Sequence, residues 1–528
     1  MRSECDVLVI GGGGAAVRAA IAAADAGVKV IMVDKGNLGQ SGTSPLGFHG
    51  LANVYHPDDS PEILAGDIIK AGREINDQDL VSTAVQSGLS EAELLQRMGV
   101  HFVRLADGSF EIYQGSGHSA PHGLILDEKK TGTNPVAVLG KQAGQKGVRL
   151  VEGVMIIDLL VDNGTVIGAV GIDQENQIQL FSAKAVVLAA GGANGLYPNV
   201  TPRIAHRMYR TTGDGYCLAI RAGLSLIDME FANFRDTPPL GRLHGTLVNR
   251  HGEAVMEKYA PNLGGTAPRG VIVEAIYREM QAGNDPLTIE LEEDAERLAE
   301  FLTTEYKVYI RKWQEGLRPP VTISFQRLLG GARINSDASS DISGLYVAGE
   351  NAGGVHGADR LQGAAWLETL VFGGLAGTNA AKFAENSQRQ AVPQSMVDKV
   401  KANLPDKDTV GRPAGEILKQ IQQIAWDSVS IVRTDEGLRN GLAQISDLQE
   451  EVKKASGQNY IEVLEAANLA LCAEVVMRAA LAREETRGTH RRSDFPELNS
   501  DLSKRHVSLT MGSDQQIRVD IVPSRGMA

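Results

Sequence analysis

The chain reads as an α/β protein: a Rossmann-like dinucleotide-binding domain, interrupted by an inserted α+β capping domain and followed by a C-terminal helical domain. Three observations carry this. The chain opens with a β-branched run, four glycines and an alanine-rich stretch, the order strand, turn, helix. Buried-strand runs stop near residue 233 and resume near residue 342. From about Val397 to Arg487 the apolar spacing is helical.

The elements follow in order. Asp6–Ile10 is a first strand, Gly11–Gly14 a turn, and Ala15–Ala24 a helix. Val28–Val33 is a second strand, ending at Asp34, so strand, glycine turn, helix, strand and acid form one βαβ unit. Val148–Glu152, Met155–Val161 and Val166–Asp173 read as strands, and Ala185–Ala189 as a buried strand running into Ala190-Gly191-Gly192. From about Phe234 to Asp341 the composition turns to mixed polar segments, with a charged helical stretch near Leu287–Phe301. Leu345–Ala348 resumes the buried-strand pattern. Helices are expected at Ala414–Ala425 and Tyr460–Arg483, and the weakly alternating tail from Ser500 suits a terminal strand. The implied domains are 1–233 with 342–392 for the cofactor, 234–341 for the capping domain, 393–499 for the helical domain, and 500–528 for the tail.

Composition excludes several classes. A chain of 528 residues is too long for one compact core. Its 43% hydrophobic and 22% charged residues are those of an ordered globular protein. A net charge of -13 argues against a nucleic-acid partner, which requires an excess of Lys and Arg. Cys5, Cys217 and Cys472 lie far apart in sequence and are too few for a four-thiolate cluster, so they read as buried small hydrophobes in a reducing, cytoplasmic setting. No metal site is expected. No run approaches the roughly 18 apolar residues of a membrane span.

The chemistry begins at Gly11-x-Gly13-x-x-Ala16, with Gly14 and Ala15 in the same turn and Asp34-Lys35 after the second strand. Gly11 permits the tight turn, Gly13 admits a pyrophosphate against backbone, and Ala16 lets helix and strand pack closely. The helix N-terminus offers unpaired N–H groups and its positive dipole end. Asp34 is placed to accept hydrogen bonds from ribose hydroxyls. This motif alone does not separate FAD from NAD.

Later segments do. Ala190-Gly191-Gly192 follows a strand, Thr212-Gly213-Asp214-Gly215 precedes a helix, and Gly344–Glu350 leads into Gly353-Gly354-Val355-His356-Gly357-Ala358-Asp359-Arg360-Leu361-Gln362-Gly363. Met229-Glu230-Phe231, Ala267-Pro268-Arg269, Val432–Leu438 and Arg487-Gly488-Thr489-His490 add further blocks in the same order. Together they resemble the succinate dehydrogenase/fumarate reductase flavoprotein family, which includes L-aspartate oxidase. The resemblance implies FAD held by the glycine turn, Asp34, Lys35, Ser41-Gly42-Thr43, Ala190-Gly191-Gly192 and Asp214. It also implies that Glu350 binds ribose or ribityl hydroxyls. Ala364, Ala365 and Leu367 would open a helix whose N-terminal amides face the flavin pyrimidine edge.

The chain departs from that family at identifiable places. Where covalent members carry Ser-His-Thr, Ser41-Gly42-Thr43 has glycine, and His49 lies too far along to replace the histidine. A noncovalent flavin is therefore expected. The His-Pro-Thr of dicarboxylate enzymes aligns with Arg235-Asp236-Thr237, and Gln326 stands where a second histidine precedes Thr-Met-Gly-Gly. Leu240–Gly245 is shorter than the family's loop bearing Thr-Glu-Gly, and Gly270 replaces the acid of Pro-Arg-Asp.

Arg269, His356 and Arg360 remain as catalytic candidates. By resemblance, Arg269 moves the substrate proton and Arg360, which also lies by the flavin, holds a substrate carboxylate with its planar fork. Arg235, Thr237 and Gln326 are the substrate-binding candidates; Arg235 either supplies an anion contact or sits in solvent. The expected reaction is hydride transfer between FAD and a small carboxylated or carbonyl-bearing molecule, with succinate or fumarate disfavoured by the lost histidines. Fumarate reduction, an aspartate oxidase-like reaction and an electron relay with a separate iron–sulfur protein stay open.

Overall fold

The computed structural model describes residues 2–40, 42–47, 50–115, 117–132, 134–199, 211–238, 240, 245–291, 304–405, 411–457 and 459–526. Contacts divide the chain into two units. The first comprises Met1–Pro198, Pro202–Phe231 and Arg327–Ala528; the second comprises Ala232–Gln326 with Asn199–Thr201.

The first unit is built on a seven-stranded sheet. Its parallel part runs Arg149–Glu152, Val30–Asp34, Arg2–Ile10, Ile178–Leu188, with Leu345–Val347 also pairing parallel to Ile178–Leu188. Thr165–Asp173 and Val154–Asp162 extend the sheet antiparallel. The strand Arg2–Ile10 alternates at its start, then becomes continuously buried from Val7 to Ile10, as expected where both faces are covered. The helix Gly14–Asp25 crosses the helix Ala364–Glu385 at close range. A Cβ on Gly377 would lie 2.1 Å from the Ala19 carbonyl, and one on Gly373 2.8 Å from that of Ala15. Only glycine allows that approach.

Residues 327–341, expected in the insertion, pack with the first unit. Gly331–Ala332 pairs antiparallel with Leu226–Ile227, which joins them to that unit. The helices Ala414–Val429, Asp435–Val452 and Tyr460–Ala482 also belong to it. The tail forms two strands, where one was expected. Arg505–Met511 and Ile517–Pro523 make a hairpin, and the former pairs with Leu226–Ile227. Ala232–Thr237 pairs with Thr322–Leu328 in a two-stranded sheet that belongs to the second unit up to Gln326. In the second unit as well, the expected helix near Leu287–Phe301 begins instead as a strand, Thr288–Leu291, antiparallel to Gly245–Val248. Its apolar residues Ile289 and Leu291 are buried and alternate with half-buried neighbours, the period of a strand. Residues 292–303 lie outside the described residues. The three cysteines are free and buried, as expected of small hydrophobes, and the sulfurs of Cys217 and Cys472 lie 3.9 Å apart.

The tail hairpin brings His506 between two acids. Its Nδ1 lies 2.8 Å from Asp228 Oδ2 and its Nε2 3.0 Å from Asp77 Oδ1, all fully buried. Burial pushes the imidazole down, but Asp228 and the hydrogen bonds with both acids outweigh it and hold His506 up at about 9. A group raised above its unfolded value stabilises the fold fully below about pH 6.5 and loses that contribution as pH rises through 9. The gap is worth roughly 3 kcal/mol. Denaturant unfolding of the native chain should lose about that much between pH 6.5 and 9, whereas His506→Gln should be less stable throughout and lack this loss. A pH profile identical in the two proteins would contradict the assignment.

Candidate active site

The glycine turn carries the signs of a cofactor cradle. Gly11 has φ +121°, and a Cβ there would meet the Ala189 carbonyl oxygen at 2.1 Å. A Cβ on Gly12 would lie 2.2 Å from Asp34 Oδ2, so the buried acid that ends the second strand faces the turn. Gly13 is the N-cap of Gly14–Asp25 and no side chain caps that helix. Past the end of the strand Ile178–Leu188, a Cβ on Gly192 would sit 1.9 Å from Glu350 Oε1. That Glu350 oxygen is buried and has no hydrogen-bond partner. Two carboxylates thus face two glycine turns at the carboxyl ends of adjacent parallel strands, an arrangement that fits the hydroxyl-rich body of a dinucleotide. The residues present fit FAD.

Around this cradle the expected residues fall into groups. Ala15 and Ala16 are buried in the first turns of the helix. Gly191 has φ +80°, and its carbonyl accepts from Asn351 Nδ2 at 2.8 Å, beside Ala190 and Gly192. Lys35 and Asp214 meet each other: Lys35 Nζ is 2.7 Å from Asp214 Oδ2 and 2.7 Å from Glu465 Oε1. Burial works against both charges, yet the pairing raises Lys35 and lowers Asp214. Gly42, at φ +70°, and Thr43 follow on the chain; Ser41 and His49 lie outside the described residues. Ala364 and Ala365 open the Ala364–Glu385 helix behind the left-handed N-cap Gly363, while Leu367 turns its side chain toward Gly88.

A second buried group sits on the same unit. Glu368 lies in the second turn of that helix with neither carboxylate oxygen hydrogen-bonded. Arg327 Nη2 is 3.7 Å and His356 Nε2 3.6 Å from its Oε2. Burial, only partly offset by Arg327, raises Glu368 and Glu350 each to about 7. Burial, with Arg327 and Arg360 nearby, pushes His356 well below its ordinary value, so its imidazole is neutral near pH 7. Both His356 ring nitrogens are buried without a hydrogen-bond partner. Arg360 is half-buried, with Nη1 donating to the Leu361 carbonyl at 3.1 Å.

The remaining candidates lie on the second unit. Arg269 is the first residue of the helix Arg269–Gln281. Arg235 is buried rather than in solvent, its Nε 3.4 Å from the Asp236 carbonyl. Thr237 Oγ1 lies 2.6 Å from Ser324 Oγ, and Gln326 is half-buried on the paired strand. Asp236 is buried beside them, its Oδ2 accepting from the Leu240 amide at 2.5 Å. Burial raises this acid, against the pull of that amide and of Arg269 and Arg235. The loop 241–244 lies outside the described residues.

Sequence reasoning missed Asp236, Arg327 and Glu368. Glu368 carried a signal: it is an acid in the first half of an Ala/Leu/Val/Gly helix, between Trp366-Leu367 and Leu370-Val371-Phe372. Asp236 and Arg327 had none, because their meaning depends on which charges the fold brings near. Among the described residues no cluster of His, Cys, Asp and Glu could hold a metal, and no helix is long and apolar enough to cross a membrane.

A parallel sheet with a glycine turn and facing acids defines a dinucleotide-dependent α/β protein, and likeness to known proteins refines the class. A protein-family model for an FAD binding domain matches residues 6–365, and one for the fumarate reductase flavoprotein C-terminus matches residues 418–525. One subunit of the fumarate reductase (CoM/CoB) of Methanothermobacter marburgensis is 32% identical over 97% of this chain and 98% of its own. The L-aspartate oxidase of Streptomyces coelicolor is 28% identical over 97% of this chain and 93% of its own. The structure of an E. coli quinol fumarate reductase flavoprotein variant superposes with a TM-score of 0.88 at 26% identity, covering 100% of this chain and 98% of that one. The chain belongs to the succinate dehydrogenase/fumarate reductase flavoprotein family. It is an FAD-dependent oxidoreductase.

Proposed function

We propose that this chain moves hydride between noncovalent FAD and a small carboxylated or carbonyl-bearing molecule other than succinate or fumarate. One observation carries the reading: Asp236 is buried in the field of Arg235 and Arg269, where the family resemblance places His-Pro-Thr. A site that carries Arg235 and Asp236 in place of a histidine and a proline, beside the retained Arg269, recognises a different outline of charge. Gly42, where covalent members have histidine, supports a flavin held without a bond.

When bound, FAD supplies the ring position that takes or gives hydride. The chain's own residues do the rest. Arg360 offers its planar fork to the substrate's anionic group, beside the neutral His356. Arg269 moves the proton, and Asp236, which burial raises, is the acid assigned to exchange that proton with it. A second reading, fumarate reduction, is favoured by the full-length likeness to one chain of a fumarate reductase. That relative is itself designated one subunit of its enzyme, which supports a separate iron–sulfur partner here, since three cysteines cannot supply four thiolates.

The test is an anaerobic spectral screen of the reduced holoprotein against small oxo acids, unsaturated acids and fumarate. Reoxidation by a compound other than fumarate, with fumarate inert, is the expected result. Rapid reoxidation by fumarate establishes the second reading, and silence toward every acid and carbonyl overturns both.

A further inference from the structure

One sequence block is left unused by the proposed function: Arg487-Gly488-Thr489-His490. It forms a closed turn within the first unit. The His490 amide donates to the Arg487 carbonyl at 2.9 Å, and the Arg487 amide donates back to the His490 carbonyl at 2.8 Å. The base of the turn is anchored in the core. Arg487 Nε and Nη2 lie 2.7 and 2.9 Å from the two carboxylate oxygens of buried Glu485. The His490 ring is fully buried, with Nε2 3.0 Å from the Arg483 carbonyl oxygen.

The tip of the turn, Gly488-Thr489, meets the backbone of Ala358, which lies midway between His356 and Arg360. Gly488 has φ +56°, and a Cβ there would sit 2.2 Å from the Ala358 carbonyl oxygen, so the approach requires glycine. That oxygen accepts twice from Thr489, from its amide at 2.9 Å and from its Oγ1 at 3.2 Å. A carbonyl has two lone pairs, and both are engaged. The preceding part of the loop is pinned from another segment. The Asp77 amide donates to the Gly354 carbonyl at 2.8 Å, Asn76 Nδ2 to that of Val355 at 2.7 Å, and the Ala358 amide to that of Gly72 at 2.9 Å.

Thr489 therefore takes over where those contacts end. A peptide group is planar, so a swing of the Ala358 carbonyl turns the Asp359 amide with it. Arg360 follows directly, its amide donating to Asp359 Oδ1 at 2.8 Å. His356 is buried beside Glu368 and Arg327, whereas Arg360 is half-buried, so freedom in this peptide is expressed at Arg360. We propose that Thr489 is a positioning residue: its hydroxyl fixes the Ala358–Asp359 peptide and thereby aims the Arg360 fork at the substrate's anionic group. This role rests on the reading that Arg360 holds that anion.

The test titrates the oxidised holoprotein with oxalate, malonate and pyruvate in turn, reading Kd from the change in the flavin's visible spectrum. The native chain is compared with Thr489→Val, Arg360→Gln and the double variant. Arg360→Gln should weaken binding about tenfold or more, and Thr489→Val about fivefold. Thr489→Ser keeps the hydroxyl and should stay within about twofold of native. In the Arg360→Gln background, Thr489→Val should change binding by less than about twofold, because the residue it acts through is gone. If none of these anions gives a saturable change, or Arg360→Gln binds like the native protein, the Arg360 reading and the inference both fall. If Arg360→Gln weakens binding but Thr489→Val does not, or does so equally in both backgrounds, only the inference falls. The same holds if Thr489→Ser is as weak as Thr489→Val. Should Thr489→Val not fold, Thr489→Ala takes its place; failure of both to fold overturns the proposal, since Thr489 then holds the fold itself.

Discussion

Gly11→Ala is expected to lose FAD at least a hundredfold, judged by the flavin content of purified protein and by titration of the apoprotein. The added Cβ would lie 2.1 Å from the Ala189 oxygen and 2.7 Å from its carbonyl carbon, and neither can move cheaply. The Gly11 amide donates to the Val33 carbonyl at 2.8 Å, and the Ala189 amide donates to that of Ile10 at 2.9 Å. Relief must therefore shift the central strands or flip a turn that requires φ +121°. Strain of that kind costs on the order of 3 kcal/mol, and here it falls on the backbone that would meet the pyrophosphate. Gly66→Ala is the control. That glycine lies in the helix Pro61–Ala71 with open space around its would-be Cβ, so alanine should stabilise by up to about 1 kcal/mol and leave flavin content unchanged. Full flavin occupancy in Gly11→Ala would remove the cradle assignment.

Arg269→Gln should lower kcat about a thousandfold with whichever substrate the screen identifies, while flavin content and spectrum stay native. A guanidinium is a poor acid in water, and its usefulness depends on a partner that can take up the proton it passes. In the proposed function Asp236 is that partner; it is buried and raised, with Leu240's amide holding its Oδ2. Asp236→Asn preserves shape and the amide contact, so it should cost about tenfold to a hundredfold in kcat with little change in KM. Arg360→Gln should move KM, because its proposed role is to hold the substrate anion. Steady-state kinetics separate these outcomes. An Arg269→Gln enzyme within tenfold of native kcat would assign the proton to another group.

Some parts of the molecule were legible for local reasons. Gly11, Gly13 and Asp34 could be read directly, because a tight turn and the acid after the next strand are local requirements on backbone and spacing. The helices Ala414–Val429 and Tyr460–Ala482 were legible from their apolar spacing. Thr288–Leu291 was misread because charged residues crowd a segment whose pairing partner, Gly245–Val248, lies some forty positions away. The cysteines are buried and free as expected, but that Cys217 and Cys472 meet was not legible, because it depends on the packing of the helices that bear them.

Short-range backbone demands, written into the order of residues, were therefore enough for a dinucleotide-binding fold and the turn that receives the cofactor, while FAD itself followed from the resemblance carried by the later segments. Which charges face one another came only with the folded chain. Lys35 meets Asp214 across 179 positions, His506 meets Asp77 across 429, and Glu368 meets Arg327 and His356 inside the core. A side chain's charge state and reach depend on burial and on neighbours that the fold supplies, and no local pattern encodes them.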